Sequence, residues 1–169
     1  MDFATNKTWA DMFLDQQINI LNSYLPVLDF NKIKKRDVRI DPAPQFDDQH
    51  LATDILMFGT LRIALRVRAG RSSTFRDIAL RSHLRSGAAT EIHKIRRGYG
   101  DYYLYCWTAD GKLITEWILI DLDKFREALE YGLEGDCHIN PDGSAFNTYD
   151  IAKLVNYGCC VDSFLNVLV

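Results

Sequence analysis

Asp54, Glu91 and Lys94 are residue types that can work together on a phosphodiester. Two carboxylates can hold a divalent cation such as Mg2+ or Mn2+. A neighbouring cation can then position a water and stabilise charge growing on phosphorus. In that scheme Asp54 and Glu91 are the metal ligands, and Glu91, Lys94 and Arg66 act on the substrate. Glu91 and Lys94 are three residues apart, so a helix would place them on one face. The same spacing also describes an ordinary ion pair in a first helical turn, worth about 0.2–0.5 kcal/mol. His93 is a further candidate base, although on a short helix it can equally face solvent or core.

These residues lie in an unusual charge setting. From Arg62 to Arg97 the chain carries nine Arg and one Lys against Asp77 and Glu91, a local charge of +8. Residues 98–169 carry −8 and residues 1–61 carry −3, so the whole-chain value of −3 conceals the contrast. The guanidinium fork donates paired hydrogen bonds to phosphate and stays charged when partly dehydrated. Arg62, Arg66 and Arg68 fall on one side of an alternating run, and alternate residues of a strand are spaced roughly 7 Å apart, comparable to phosphates along a nucleic-acid strand. With Arg76 and Arg81 they make a candidate face for DNA or RNA. The competing reading is internal: these arginines pair with the acidic 98–169 segment while their stems cover apolar surface. An acidic protein partner would use the same face.

The elements that must position these groups follow from periodicity. Trp9, Met12, Phe13, Ile18, Leu21 and Leu25 recur at helical spacing, with Thr8 as N-cap and Pro26 as stop, which predicts a helix over 8–25. From residue 52 the period changes to alternation. Strands are predicted over 54–58, 60–68 and 74–82 as an antiparallel meander, with Leu61, Ile63, Leu65 and Val67 opposite the arginines. Thr90 caps a short helix through Ile95, closed by Gly98. A strand over 102–107 and one over 113–122 flank the hairpin signal Asp110-Gly111, the second apolar enough for burial on both faces. Asp123 caps a helix over 124–131, Asn140-Pro141-Asp142-Gly143 reads as loop, and a last helix lies near 149–157.

The predicted fold is α/β of the α+β type: a central mixed, largely antiparallel sheet of about five strands flanked by helices, in the order α-β-β-β-α-β-β-α-α. A length of 169 residues with 47% hydrophobic content suits one domain, 1–169, with a core over about 50–125 and a helical C-terminal segment over 124–169. The apolar runs are shorter than a membrane span needs and the start lacks the basic-then-apolar pattern of a signal peptide, so the expected location is cytoplasmic, without a membrane partner. Cys106, Cys137, Cys159 and Cys160 read as reduced packing thiols, because two are adjacent and one sits in an apolar strand. A zinc site from Cys137, His138, Cys159 and Cys160 lacks the usual ligand spacing. Tyr99, Tyr102, Tyr103, Tyr105 and Trp107 could stack on bases or line a small-molecule pocket, but such alternation more often marks packing.

The order of helix, three strands, helix and strand, with Asp54 near the start of the sheet, resembles the core of the PD-(D/E)XK nuclease superfamily. The runs Asp77-Ile78-Ala79-Leu80-Arg81, Thr90-Glu91-Ile92-His93-Lys94-Ile95 and Gly100-Asp101-Tyr102-Tyr103-Leu104-Tyr105 are similar to phage and bacterial proteins associated with that fold. The resemblance covers roughly residues 50–125 and implies a metal-dependent nuclease that binds nucleic acid. The family's second acid and its lysine fall here on Ala64 and Arg66. Some members place the acid on the following helix, which would give Glu91 that role. The alternative is a non-catalytic accessory or inhibitor protein of the phage type, binding a host protein or nucleoprotein through the arginine face.

Overall fold

The N-terminal apolar pattern forms α1, Leu14–Tyr24, with Leu14, Ile18, Ile20 and Leu21 turned to one side. The computed structural model describes residues 12–24, 40–42, 55–57, 61–69 and 75–165; the predicted start at Thr8 and stop at Pro26 lie outside them. The chain continues with β1 (Ile40–Pro42), β2 (Ile55–Met57), β3 (Leu61–Ala69), β4 (Asp77–His83), α2 (Glu91–Arg96), β5 (Tyr102–Thr108) and β6 (Glu116–Asp121). It ends with α3 (Leu122–Glu130), β7 (Asp136–Ile139), β8 (Ala145–Asp150), α4 (Ile151–Asn156) and β9 (Cys160–Phe164).

The strands make two sheets, one of six in the order β1-β2-β3-β5-β6-β9 and one of three in the order β4-β8-β7. The mixed α+β class is therefore as expected, with more strands than five. The predicted three-stranded meander is corrected. β2 and β3 pair antiparallel, but the far edge of β3 is taken by β5 in parallel, from Ile63 opposite Tyr102 to Ala69 opposite Thr108. A parallel neighbour requires a crossover, and the segment carrying β4 and α2 supplies it. β4 thus leaves the large sheet and pairs with β8.

Alternation along β5 and β6 builds a core on both faces of the large sheet. Tyr103, Tyr105, Trp107, Ile118 and Ile120 point to one side, where the small sheet, α2, α3 and α4 cover them. Leu104, Cys106, Trp117 and Leu119 point to the other, beneath Leu21 of α1. The predicted two-faced burial of the second hairpin strand is observed, over Glu116–Asp121. At the hairpin turn, the Asp110 carboxylate accepts from the Lys112 and Leu113 N–H groups at 2.9 and 3.1 Å, and Gly111 supplies a φ of +73°. The Gln16 side chain ties α1 to the same loop, donating to the Lys112 carbonyl and accepting from the Ile114 N–H, each at 2.8 Å.

Two further corrections fall in the C-terminal third. α3 is capped by Asp121, which accepts from the Asp123 and Lys124 N–H groups, so Asp123 stands inside the first turn. The segment 124–169, expected to be helical, holds β7, β8 and β9 beside α3 and the short α4. Asn140 to Gly143 is the tip of a β7–β8 hairpin, and β9 extends the large sheet beyond β6. No helix among the described residues is long and apolar enough to cross a membrane.

Gly135, just before β7, approaches β8 closely: a Cβ there would stand 2.8 Å from the Tyr149 ring and 3.0 Å from the Thr148 carbonyl. Tyr149 is held edge-on against Phe125 at 5.0 Å between centroids and cannot easily retreat. Gly135→Ala is expected to destabilise the protein by about 1–3 kcal/mol through overpacking. Thermal unfolding checks this, since each kcal/mol should lower the midpoint by roughly 2–4 °C in a chain of this size.

Candidate functional site

The alternation of β3 puts Ile63, Leu65 and Val67 against the α1 side and Arg62, Ala64, Arg66 and Arg68 on the opposite side, as the sequence predicts. That side is not an open surface. It faces the small sheet, and three of the four residues answer to an acid there or nearby. The Arg62 backbone N–H donates to Asp101 Oδ2 at 2.6 Å, and its Nε stands 3.6 Å from the same oxygen. Arg66 Nη1 donates to Glu91 Oε1 at 2.8 Å. Arg68 Nη1 pairs with the Asp77 carboxylate, reaches the Asp77 carbonyl at 3.2 Å, and its guanidinium stacks 5.7 Å from the centre of the Phe75 ring. Ala64, where the nuclease pattern has an acid, is a buried core residue.

Glu91 is the centre of this arrangement. Thr90 is the N-cap of α2, and its hydroxyl bonds to His93 Nδ1 at 2.9 Å, leaving the exposed His93 ring anchored to the helix start. The first turn of α2 then aims the Glu91 carboxylate between the sheets. Oε1 accepts from Arg66 and from the Tyr103 hydroxyl at 3.2 Å; Oε2 accepts from the Arg81 N–H at 2.8 Å. Burial pushes its pKa up, but the Arg66 guanidinium and the Arg81 N–H outweigh it and hold the carboxyl below its ordinary value of 4.5. The reciprocal attraction of Glu91 raises Arg66 further.

Of the proposed chemical groups, Glu91 and Arg66 are therefore brought together, and Lys94 lies on the same short helix, half-buried. Asp54 lies outside the described residues. Among the described residues no three His, Cys, Asp or Glu side chains are grouped to hold a metal ion, the zinc set of Cys137, His138, Cys159 and Cys160 included. Cys106 and Cys159 are buried, which pushes their thiols up to about 12 and about 11. Tyr103, Tyr105 and Trp107 are buried in the core, with Tyr105 and Trp107 centroids 4.9 Å apart, so these three are packing residues.

A cleft of about 580 Å3 lies beside the Arg66–Glu91 pair. Arg66 and Arg68 of β3, Arg81 of β4 and the tip of the β7–β8 hairpin line it, together with Tyr105. Arg66 and Arg68 each use only Nη1 on the protein, so their Nη2 and Nε groups remain as donors among the described residues. Among those residues no carboxylate lies within ion-pairing distance of the Arg81 guanidinium. Arg76 stands apart from this cleft, paired with the buried Glu116. The hairpin tip is cross-bonded: Asp142 accepts from the Ser144 N–H at 2.9 Å and its hydroxyl at 2.7 Å, and Asn140 Nδ2 donates to Ser144 Oγ at 2.9 Å. Sequence reading missed Asn140, Asp142 and Ser144; the flanking runs Cys137-His138-Ile139 and Phe146-Asn147-Thr148-Tyr149 around Asn140-Pro141-Asp142-Gly143 were the signal for a hairpin. No family model matches the chain, and no curated protein sequence matches it.

Glu91→Gln replaces one acceptor oxygen by a donor facing donors, and is expected to cost about 2 kcal/mol at neutral pH, the scale of lost bonds to a charged group. Because the folded pKa lies below 4.5, the carboxylate stabilises the fold fully above that value and progressively less as pH falls through the folded pKa. Urea unfolding of both proteins should show a constant gap at neutral pH that closes in acid; a gap independent of pH would remove the ion pair from the explanation.

Proposed function

We propose that this chain binds nucleic acid through the arginine-lined cleft, gripping phosphate with Arg66, Arg68 and Arg81. The observation that carries the reading is the convergence on one concave site of three guanidiniums from two sheets, two of them fixed in orientation by Glu91 and Asp77. A fixed guanidinium loses little freedom on binding, and its unused Nη2 and Nε edge matches the paired oxygens of phosphate. Arg62 and Arg76 lie outside the cleft, each held by an acid, Asp101 and Glu116.

Metal-dependent cleavage is a second reading, favoured by the position of Glu91: it sits on the helix that follows β4, bonded to Arg66, where the superfamily resemblance would put a migrated acid. Asp54, Glu91 and Mg2+ or Mn2+ would then form the site, with Lys94 or Arg66 beside it. Both carboxylate oxygens of Glu91 already hold protein donors, and the Arg66 guanidinium beside them would oppose a metal ion by like charge.

Fluorescence anisotropy with single-stranded and duplex oligonucleotides tests binding. Affinity should fall steeply with salt, and Arg81→Ala should weaken it about five- to tenfold, with Arg62→Ala much milder. Salt-independent binding, or none, would remove the cleft from nucleic-acid recognition. Incubation of plasmid and single-stranded substrates with Mn2+ tests cleavage, which Asp54→Asn and Glu91→Gln should abolish; activity untouched by both would exclude this metal site.

A further inference from the structure

The cleft's shape distinguishes among nucleic-acid ligands, a distinction that rests on the nucleic-acid-binding role proposed for it. The large sheet and β4 are stitched together at the base of the cleft. Arg66 and the Arg81 N–H meet on Glu91, the Ala79 N–H donates to the Tyr105 hydroxyl at 3.3 Å, and Arg68 crosses to Asp77. A chain of nucleotides therefore has no path between the sheets. A ligand enters from the mouth and stops.

The donors are equally specific. Arg66, Arg68 and Arg81 bring three guanidiniums to one lining, while Glu91, Asp77 and Asp142 balance their formal charge, so selectivity rests on donor geometry. An internal phosphodiester has two of its phosphate oxygens tied up in ester bonds, whereas a phosphate monoester presents three acceptor oxygens. The volume of about 580 Å3 lies in the range of small-ligand sites, roughly 300–1,000 Å3. Asp142 adds direction. Locked by Ser144, it repels phosphate from the hairpin side and accepts N–H donors such as the exocyclic amine of a base.

We propose that the cleft is a socket for a terminal nucleotide: it takes the phosphate monoester at the end of a nucleic-acid strand, or of a free nucleoside monophosphate, with the phosphate on Arg66, Arg68 and Arg81 and the base toward Asp142. The strand beyond the end nucleotide leaves through the mouth. Arg81 is exposed and outside ion-pairing distance of any carboxylate among the described residues, so its removal breaks no salt bridge there.

Anisotropy with internally labelled single strands ending in 5′-phosphate, 3′-phosphate or hydroxyl at both ends tests this. One phosphorylated end should bind about tenfold tighter than the hydroxyl form, the scale of one added charge-assisted contact. Arg81→Gln should erase that preference, and Arg85→Gln, which removes the same charge from an exposed residue outside the cleft lining, should keep it; thermal melts establish that both variants are folded. Nucleoside monophosphates should compete, and nucleosides should not. Equal binding of all ends, weakened equally by Arg81→Gln, would overturn the socket while leaving backbone binding in the cleft standing. Absence of binding to every oligonucleotide would overturn both.

Discussion

The Glu91 carboxylate joins elements that the backbone alone does not connect. β4 hydrogen-bonds to β8 along one edge, and in a strand residues 77, 79 and 81 direct their N–H and C=O groups to the other. That free edge is laddered to no strand among the described residues. Its Arg81 N–H goes to Glu91, its Ala79 N–H to the Tyr105 hydroxyl, and its Asp77 carbonyl to Arg68. Side chains from α2, β5 and β3 thus do for β4 what a neighbouring strand would do, and an unpaired buried edge would be costly. Glu91 can be held charged at this seam because Arg66, the Tyr103 hydroxyl and the Arg81 N–H surround it with donors.

The same pairs explain why a local charge of +8 is compatible with a packed sheet. Arg62, Arg66, Arg68 and Arg76 each have a carboxylate partner: Asp101, Glu91, Asp77 and Glu116. Two of those acids come from the acidic C-terminal half and two from within the basic segment itself. Internal pairing and ligand binding are not exclusive here, because a guanidinium has five N–H donors and one carboxylate uses one or two. The acid fixes where the rest of the fork points, and Arg66 and Arg68 both line the cleft.

Elements with strong local signals were legible in the sequence: the Asp110-Gly111 hairpin, the aromatic strand Tyr102–Thr108 and the two faces of Leu61–Ala69. What was not legible was partnership. Nothing local in Asp77–His83 says that it leaves β3 for β8, since the choice depends on β5 occupying the edge of β3 from more than thirty residues away. The hairpin tip at Asn140 to Ser144 belonged to the site only because that long-range pairing carries β8 to β4, so its Asn, Asp and Ser looked like ordinary turn residues. Glu91 and Arg66 were both identifiable as functional candidates, but not as each other's partner.

That partnership constrains any chemistry built on Glu91. A carboxylate offers about four acceptor positions, and three are filled from three separate elements. A cation approaching the remaining position would meet Arg66 as a like charge about one hydrogen bond away, and displacing Arg66 would loosen the contact that aligns β3 with α2. Binding phosphate on the outer edge of Arg66 requires no such exchange, because the incoming charge is opposite in sign and the Glu91 contact is kept. The proposed role is therefore one in which Glu91 holds the arginine and the arginine holds the ligand.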